Sequence, residues 1–84
     1  MKKEDKIQLT LVQFGKRLRY FRKLKGYTNY EHFAYEVNIS RSQYGKYENG
    51  GNIKLSTLIK ILDFMDVTLN EFFSVDFDKY KKKV

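Results

Sequence analysis

The chain has 84 residues, which is enough for one domain with one modest hydrophobic core. It contains no cysteine, which excludes disulfide bonds and thiolate metal sites, and it shows neither an apolar run long enough to span a membrane nor a signal-peptide pattern at its start. The formal net charge is +7 at pH 7 and 17% of the residues are aromatic, so we expect a cytoplasmic protein with large buried side chains and a basic surface.

The positive charge is concentrated at the N-terminal end of the chain. Residues 1–26 contain nine Lys or Arg and two acidic residues, whereas residues 55–78 contain one Lys and five acidic residues. Two interpretations of this asymmetry remain open. Either the charges form an ordinary solvated surface, or they form a directed electrostatic face that binds a polyanion.

Helix 1 is predicted from apolar residues that recur at steps of three and four, namely Leu11, Phe14, Leu18 and Phe21. Its start is predicted at Thr10, because Thr followed three residues later by Gln13 forms a capping box. Leu9 and Phe14 would form the accompanying hydrophobic staple. We therefore expect residues 1–8 to be a flexible basic N-terminal arm and residues 9–74 to be the domain.

Helix 2 is predicted to begin at one of two adjacent caps. Thr28 forms a capping box with Glu31, and Asn29 is an equally good cap. Apolar residues then give this helix a short inward face, which consists of Phe33, Ala34 and Val37. The single histidine, His32, has neither a cysteine nor a second histidine to work with, so we interpret it as a structural or surface residue.

Helix 3 is predicted to begin at Ser40, three residues before Gln43, and to end at the Asn-Gly pair of residues 49–50. A connection of two residues, beginning with Asn38, separates it from helix 2, and Asn tolerates a left-handed turn. Two short helices joined so tightly form a helix-turn-helix, which we place at about residues 29–48.

Helices 4 and 5 complete an all-α, five-helix domain. Helix 4 carries an apolar stripe that consists of Leu55, Leu58, Ile59, Leu62 and Met65. Helix 5 is predicted to begin at the capping box of Thr68 and Glu71. The residues expected to close the core are Leu69, Phe72 and Phe73. Residues 75–84 are expected to form a lysine-rich C-terminal tail.

The outward face of helix 3 follows from the rotation of about 100° per residue in an α-helix. Four residues share one polar face, namely Arg41, Ser42, Gly45 and Lys46. Tyr44, Tyr47 and Glu48 lie broadly on the other side and are expected to face the core. A glycine inside a helix is about 1 kcal/mol less favourable than alanine. Gly45 therefore indicates either close packing against a neighbouring helix or close approach of a ligand.

Glu48 is predicted to face inward, where an unpaired carboxylate is strongly unfavourable. Arg22 lies on helix 1, next to Phe21 of its apolar stripe, and is placed to pair with that carboxylate. We therefore predict an ion pair between Arg22 and Glu48 that ties helix 1 to helix 3.

These residues resemble the Cro/repressor-type helix-turn-helix proteins, also called the XRE family, over about residues 12–73. The stretch FGKRLRYFR matches the family's opening pattern, NYEHFAYEVNIS followed by RSQYGKYENG matches its helix-turn-helix core, and LSTLIKILDFMDVTLNEFF is similar to its last two helices. Residues at the expected spacing are Ala34, Ile39, Glu48 and Gly50. The chain departs from the family at Tyr30, where Gln is usual, at Asn38, where Gly is usual, and before helix 4, where a proline is missing.

The resemblance implies a lambda-repressor-like DNA-binding domain that places helix 3 in the major groove of double-stranded DNA. The base-contacting residues would then be Arg41, Ser42, Gly45 and Lys46. Phosphate contacts would come from Asn29, Tyr30, Asn52 and Lys54. Arg17 and Arg19 of helix 1 would either add to phosphate binding or remain solvated charges.

The main functional hypothesis is a sequence-specific transcriptional regulator that binds double-stranded DNA, with repression as its mode of action. We predict no cofactor, no metal, no membrane contact and no enzymatic activity. A homodimer is expected through helix 5 and the tail, where Phe77 and Tyr80 are candidate contact residues. Two alternatives remain open, namely the antitoxin of a toxin–antitoxin pair, which would bind a toxin protein, and a helical protein–protein interaction module.

Overall fold

The computed structural model describes residues 2–74, which form five α-helices and no strand. The helices are α1 (Lys3–Leu24), α2 (Tyr30–Glu36), α3 (Arg41–Glu48), α4 (Leu55–Met65) and α5 (Leu69–Phe72). The predicted all-α, five-helix fold is therefore confirmed. None of these helices is both long enough and apolar enough to cross a membrane. The predicted tail, residues 75–84, with Phe77 and Tyr80, lies outside the described residues.

α1 begins earlier than the sequence predicts. Residues 3–8, for which we expect an arm, form its first turns. Thr10 lies inside the helix, where its Oγ1 donates a hydrogen bond to the carbonyl oxygen of Lys6 at 2.9 Å, so the predicted cap and its hydrophobic staple are wrong. The physical reason is that Glu4 and Asp5 favour a helix start through the helix dipole, and no Gly or Pro follows to interrupt the helix before Thr10.

Side-chain caps set the starts of the three shortest helices, α2, α3 and α5. The Ser40 hydroxyl accepts a hydrogen bond from the backbone N–H of Gln43 at 3.1 Å and so caps α3. α5 has a complete capping box, in which the side chains of Thr68 and Glu71 each accept a hydrogen bond from the other's backbone N–H. Asn29, one of the two predicted candidates, caps α2. These caps satisfy N–H groups that a short helix leaves unpaired.

One hydrophobic core joins the helices. Its largest fully buried apolar side chains are Tyr44, Phe33, Phe72, Leu18, Leu58 and Ile61. Aromatic rings meet between helices: the ring centroids of Phe33 and Tyr44 are 5.1 Å apart, and those of Phe14 and Phe72 are also 5.1 Å apart. Such pairs stabilise a protein by about 0.5–1.5 kcal/mol beyond the effect of their buried area.

The buried face of α4 is rotated from the predicted stripe. Leu55 is 65% exposed and Ile59 is 47% exposed, whereas Ile61, which the prediction leaves out, is fully buried. In α5 only Phe72 is buried, and Leu69 is half exposed, as is Phe73 just after the helix. Apolar residues lie on several sides of the segment LSTLIKILDFM, so packing against the other helices decides which of them are buried.

α1 and α3 come into close contact at Gly15. A β-carbon at this position would lie 2.5 Å from the carbonyl oxygen of Glu48 and 2.7 Å from that of Tyr47. These distances leave no room for a side chain, so the approach of the α3 backbone requires glycine here. The contact holds the last turn of α3 against α1 and therefore helps to decide which side of α3 is left outside.

Three polar side chains of α1 lie in the interior, namely Gln13, Arg17 and Arg22. Arg17, which we expect to contact phosphate or remain solvated, is buried, and it donates from Nε to the carbonyl oxygen of Phe72 at 2.9 Å and from Nη2 to that of Glu71 at 3.0 Å. These bonds satisfy carbonyl groups at the end of α5. Gln13, predicted to belong to a helix cap, is fully buried, and neither polar atom of its amide has a hydrogen-bond partner among residues 2–74.

Candidate nucleic-acid interface

The turn between α2 and α3 is tight and hydrogen-bonded. Asn38 has a φ of 62°, the left-handed conformation that the sequence predicts for it. The N–H of Ile39 donates to the carbonyl oxygen of Ala34 at 2.9 Å, and the Nζ of Lys60 lies 3.5 Å from the carbonyl oxygen of Asn38. The two helices therefore meet in a fixed arrangement at the predicted position of the helix-turn-helix.

α3 has one buried and one exposed face. Tyr44, Tyr47 and Glu48 are buried, as their angular positions predict. The exposed residues include three of the four predicted base-contacting residues, namely Arg41, Ser42 and Lys46. The fourth, Gly45, is half-buried. The polar face of α3 is thus available to a ligand along the first two turns of the helix.

Two further polar residues of this surface are missing from the predicted site. Gln43 is exposed, and its amide forms no hydrogen bond with the described residues, because only its backbone N–H takes part in the Ser40 cap. The capping-box signature predicts that the Gln43 side chain bonds to the start of the helix, so it does not predict an exposed side chain. Asn49 is also exposed, and its Nδ2 donates to the carbonyl oxygen of Gly45 at 2.8 Å. Its place just after the helix offered no sequence signal for a surface role.

Gly45 lies under the aromatic ring of Tyr30. A β-carbon at Gly45 would lie 3.2 Å from Cε2 of that ring, which is tighter than ordinary van der Waals contact. Of the two explanations that the sequence leaves open for Gly45, the structure shows the packing of a neighbouring helix. Tyr30, at the first position of α2, therefore braces α3 from outside the core while part of its ring remains exposed.

Arg22 and Glu48, the predicted ion pair, are joined by two hydrogen bonds. The Arg22 Nε donates to Oε2 of Glu48 at 2.6 Å, and its Nη2 donates to Oε1 at 3.2 Å. Nη1 of the same guanidinium donates to the carbonyl oxygen of Tyr27 at 2.6 Å. Arg19, which is 47% exposed, approaches Oε1 from the outside at 3.4 Å. This cluster attaches the last turn of α3 to α1.

Two groups at this ion pair, Arg22 and Tyr44, have shifted pKa values. Burial lowers the pKa of Arg22, but the hydrogen bond and negative charge of Glu48 outweigh burial, so the pKa of Arg22 is raised overall. Burial raises the pKa of Tyr44, and the nearby Glu48 carboxylate raises it further, although the Tyr44 hydroxyl lies outside ordinary hydrogen-bond geometry. Arg22 therefore stays charged and Tyr44 stays neutral near neutral pH.

A second ion pair lies on the exposed surface. The Arg41 Nη1 donates to Oε2 of Glu31 at 3.1 Å, and the two side chains are 75% and 47% exposed. An exposed pair of this kind contributes at most about 1 kcal/mol to stability. It connects the first residue of α3 with the first turn of α2, and no local pattern in the sequence predicts it.

The four predicted phosphate-contacting residues are all exposed. They are Asn29 and Tyr30 at the start of α2, and Asn52 and Lys54 in the loop between α3 and α4. The Oδ1 of Asn29 already accepts two backbone hydrogen bonds, so its Nδ2 is the group left to donate to an anion. In the loop, the N–H of Gly51 donates to the carbonyl oxygen of Lys46 at 2.6 Å, which holds the start of the loop against the end of α3.

The single histidine is a surface residue. The ring of His32 stacks on that of Tyr27, with a centroid distance of 6.4 Å. Within residues 2–74, no group of three or more His, Cys, Asp and Glu residues is placed to hold a metal ion.

The comparisons with known proteins agree on the type of domain. A family model described as helix-turn-helix matches residues 18–72. Control protein C.MunI of a Mycoplasma species is 38% identical over 64 residues, which cover 75% of this chain and 86% of that protein. The uncharacterized HTH-type transcriptional regulator YazB of Bacillus subtilis (strain 168) is 39% identical over 59 residues, which cover 69% of this chain and 84% of that protein. No solved structure matches the chain significantly.

Proposed function

The chain belongs to the helix-turn-helix family, and from this premise we propose that it is a transcriptional regulator that binds a specific sequence of double-stranded DNA through α3. The matched region, residues 18–72, includes all of α2, the turn and all of α3. One relative carries the name of a control protein and another that of a transcriptional regulator, which supports the same role.

The observation that carries the proposal is the two-sided character of α3. Its inner face is held by the buried Glu48 and by two buried tyrosines, so its outer face is presented rigidly. The major groove admits an α-helix, and the N-terminal residues of a recognition helix contact base edges. Arg41 is suited to guanine, Ser42 can donate or accept a hydrogen bond, and Lys46 suits a base acceptor or a phosphate. Gly45, the fourth proposed base contact, is half-buried and packs under the Tyr30 ring.

Phosphate contacts on either side of α3 would fix its register in the groove. Asn29 and Tyr30 are the proposed contacts beside α2, and Asn52 and Lys54 are those in the loop before α4. Both pairs are exposed and flank the turn-and-helix unit in the chain. Lys54, the one cation among these four residues, would add affinity that falls as salt rises and does not depend on sequence.

We further propose that the protein acts as a homodimer in the cytoplasm and represses transcription by occupying its operator. A single small module buries a modest DNA interface, and two copies on a palindrome double it. Helix α5 and the residues after it are the proposed dimer contacts. The proposed DNA-binding domain is extended from the predicted residues 9–74 to include the whole of α1 (Lys3–Leu24), and residues 75–84 are the proposed tail. No observation on the described residues favours the toxin partner of the antitoxin hypothesis.

Selection of bound duplexes from a random DNA pool at near-physiological salt, followed by sequencing, tests this function. We expect one sequence to be enriched, and a palindrome would establish dimeric binding as well. An enriched single half-site would support sequence-specific DNA binding and contradict binding as a dimer. Weak binding with no enriched sequence, lost as salt rises, would overturn sequence-specific recognition.

A further inference from the structure

We propose that Glu31 determines sequence specificity by holding the Arg41 guanidinium in the orientation that reads a guanine, without itself contacting DNA. This inference rests on the proposed function, because it takes Arg41 to be a base reader. It adds a positioning residue on a different helix, which decides how sharply Arg41 distinguishes its base.

Both partners begin from fixed backbone positions. The N–H of Glu31 donates to Oδ1 of the Asn29 cap at 2.8 Å, and Arg41 follows directly after the Ser40 cap of α3. From these positions the Arg41 Nη1 reaches Oε2 of Glu31 at 3.1 Å. A long and exposed side chain, which would otherwise sample many rotamers, is thereby restricted in direction.

The contact with Glu31 leaves the guanidinium able to read a base. Arginine has five N–H donors in one plane, and a bidentate contact with O6 and N7 of guanine needs two of them. Glu31 occupies a donor on Nη1, so the donors on Nη2 and Nε remain for DNA. A side chain that is already oriented loses less conformational entropy on binding, and this advantage applies to the base that its orientation fits.

The same carboxylate is unfavourable for DNA binding in general. Glu31 is negatively charged and lies beside Arg41, so it repels the phosphate backbone of any sequence. Orientation therefore favours the correct site alone, whereas repulsion weakens binding to every site. A positioning residue therefore strengthens binding to the correct site relative to other sites, whereas an ordinary surface charge changes binding to all sites alike.

Two substitutions at Glu31 and one control substitution distinguish the orientation of Arg41 by Glu31 from the repulsion between Glu31 and the DNA backbone. Glu31→Gln removes the charge and weakens the contact, whereas Glu31→Asp keeps the charge and shortens the side chain by about 1.5 Å, out of reach of Nη1. Glu36→Gln is the matched control, because Glu36 is exposed at the other end of α2 and forms no ion pair with the described residues. The variants are expected to melt like the parent, since the pair is exposed.

The measured quantity is the specificity ratio, which is the dissociation constant for a scrambled duplex divided by that for the selected duplex. We expect Glu31→Gln to lower this ratio about three- to tenfold and to tighten binding to the scrambled duplex. Glu31→Asp is expected to lower the ratio without tightening that binding, and Glu36→Gln is expected to leave the ratio unchanged. Fluorescence anisotropy with each full-length variant gives both constants.

Arg41→Ala, measured beside them, separates the failure of this inference from the failure of the proposed function. If Arg41→Ala lowers the specificity ratio while both Glu31 variants keep it, the positioning role of Glu31 is overturned and Arg41 remains a base reader. If Arg41→Ala also keeps the ratio, the assignment of Arg41 as a base reader is overturned together with the inference.

Discussion

The Arg22 guanidinium and the Glu48 carboxylate form a two-bond ion pair inside the protein, where 4% and 3% of their side chains are exposed. Removal of one partner leaves the other charge buried without compensation, which costs about 3–5 kcal/mol. We therefore expect Arg22→Met to lower the free energy of unfolding by that amount, as measured by urea denaturation. Arg19→Met is the matched control, because Arg19 contacts the same carboxylate from solvent, and its loss should be below about 1 kcal/mol. Equal losses from the two variants would contradict the buried role of Arg22.

Gly15 is the closest point between α1 and α3. An alanine there would place its β-carbon 2.5 Å from the carbonyl oxygen of Glu48, and backbone cannot move aside as a flexible side chain can. We expect Gly15→Ala to lower the free energy of unfolding by about 1–3 kcal/mol, although alanine is the better helix former. Lys16→Ala changes an exposed neighbour in the same helix and should stay within about 0.5 kcal/mol of the parent. Thermal unfolding compares the stability of the two variants with that of the parent. A Gly15→Ala protein as stable as the parent would show that α3 can move away from α1 at no cost.

The capping box of α5 predicts a pH dependence. Hydrogen bonds from the backbone and side chain of Thr68 hold the pKa of Glu71 below its usual value of 4.5. A carboxyl group with a lowered pKa in the folded state adds stability above its unfolded pKa, and this stability is lost as the pH falls through the folded pKa. We expect Glu71→Gln to be less stable than the parent near neutral pH, and the difference to shrink as the pH falls below 4.5. Thermal unfolding of both proteins across the acid range measures it, and a difference independent of pH would contradict the role of the charged form.

The unsatisfied amide of Gln13 leads us to predict that replacing this residue stabilises the protein. Its buried amide has no hydrogen-bond partner within the described part of the chain, and an unsatisfied buried polar group costs about 1–3 kcal/mol. Gln13→Met keeps the length of the side chain and removes the amide, so we expect the free energy of unfolding to rise by an amount in that range. Gln8→Met is the control, because the Nε2 of Gln8 donates to the carbonyl oxygen of Gly50 at 3.2 Å and its loss should be mildly destabilising. Calorimetry measures the free energy of unfolding of each variant and of the parent. A Gln13→Met protein less stable than the parent would mean that the Gln13 amide forms hydrogen bonds in solution.

The proposed base and phosphate contacts predict different responses on DNA. Arg41→Ala should cost about 1–3 kcal/mol of binding free energy on the selected duplex and little on random DNA. Lys54→Ala should weaken both by the same factor and reduce the slope of log affinity against log salt by about 1. Titrations of both duplexes at several salt concentrations measure these effects. Equal losses for Arg41→Ala on both duplexes would make Arg41 a phosphate contact.

Local signals in the sequence account for much of the fold. Ser40 and Thr68 mark helix starts because a cap and the N–H group that it binds lie within three residues of one another. The same signature at Thr10 is misleading, because Glu4 and Asp5 already favour a helix start earlier in the chain and no Gly or Pro follows before Thr10. The predicted stripe of α4 includes Leu55 and Ile59, which are exposed, and leaves out Ile61, which is buried. A strongly apolar helix offers several possible inward faces, and the neighbouring helices select one.

Four features follow from the order of the amino acids: the succession of the five helices, the helix-turn-helix, the polar face of α3 and the pairing of Arg22 with Glu48. The other contacts between helices became visible once the helices were packed together. These contacts are the Tyr30 ring over Gly45, the Glu31 carboxylate on Arg41, and the Arg17 guanidinium on the end of α5. The physical reason is one of range. Helix caps and helix faces depend on residues within about four positions of each other, whereas the distance and angle at which two helices cross depend on the packing of the whole core.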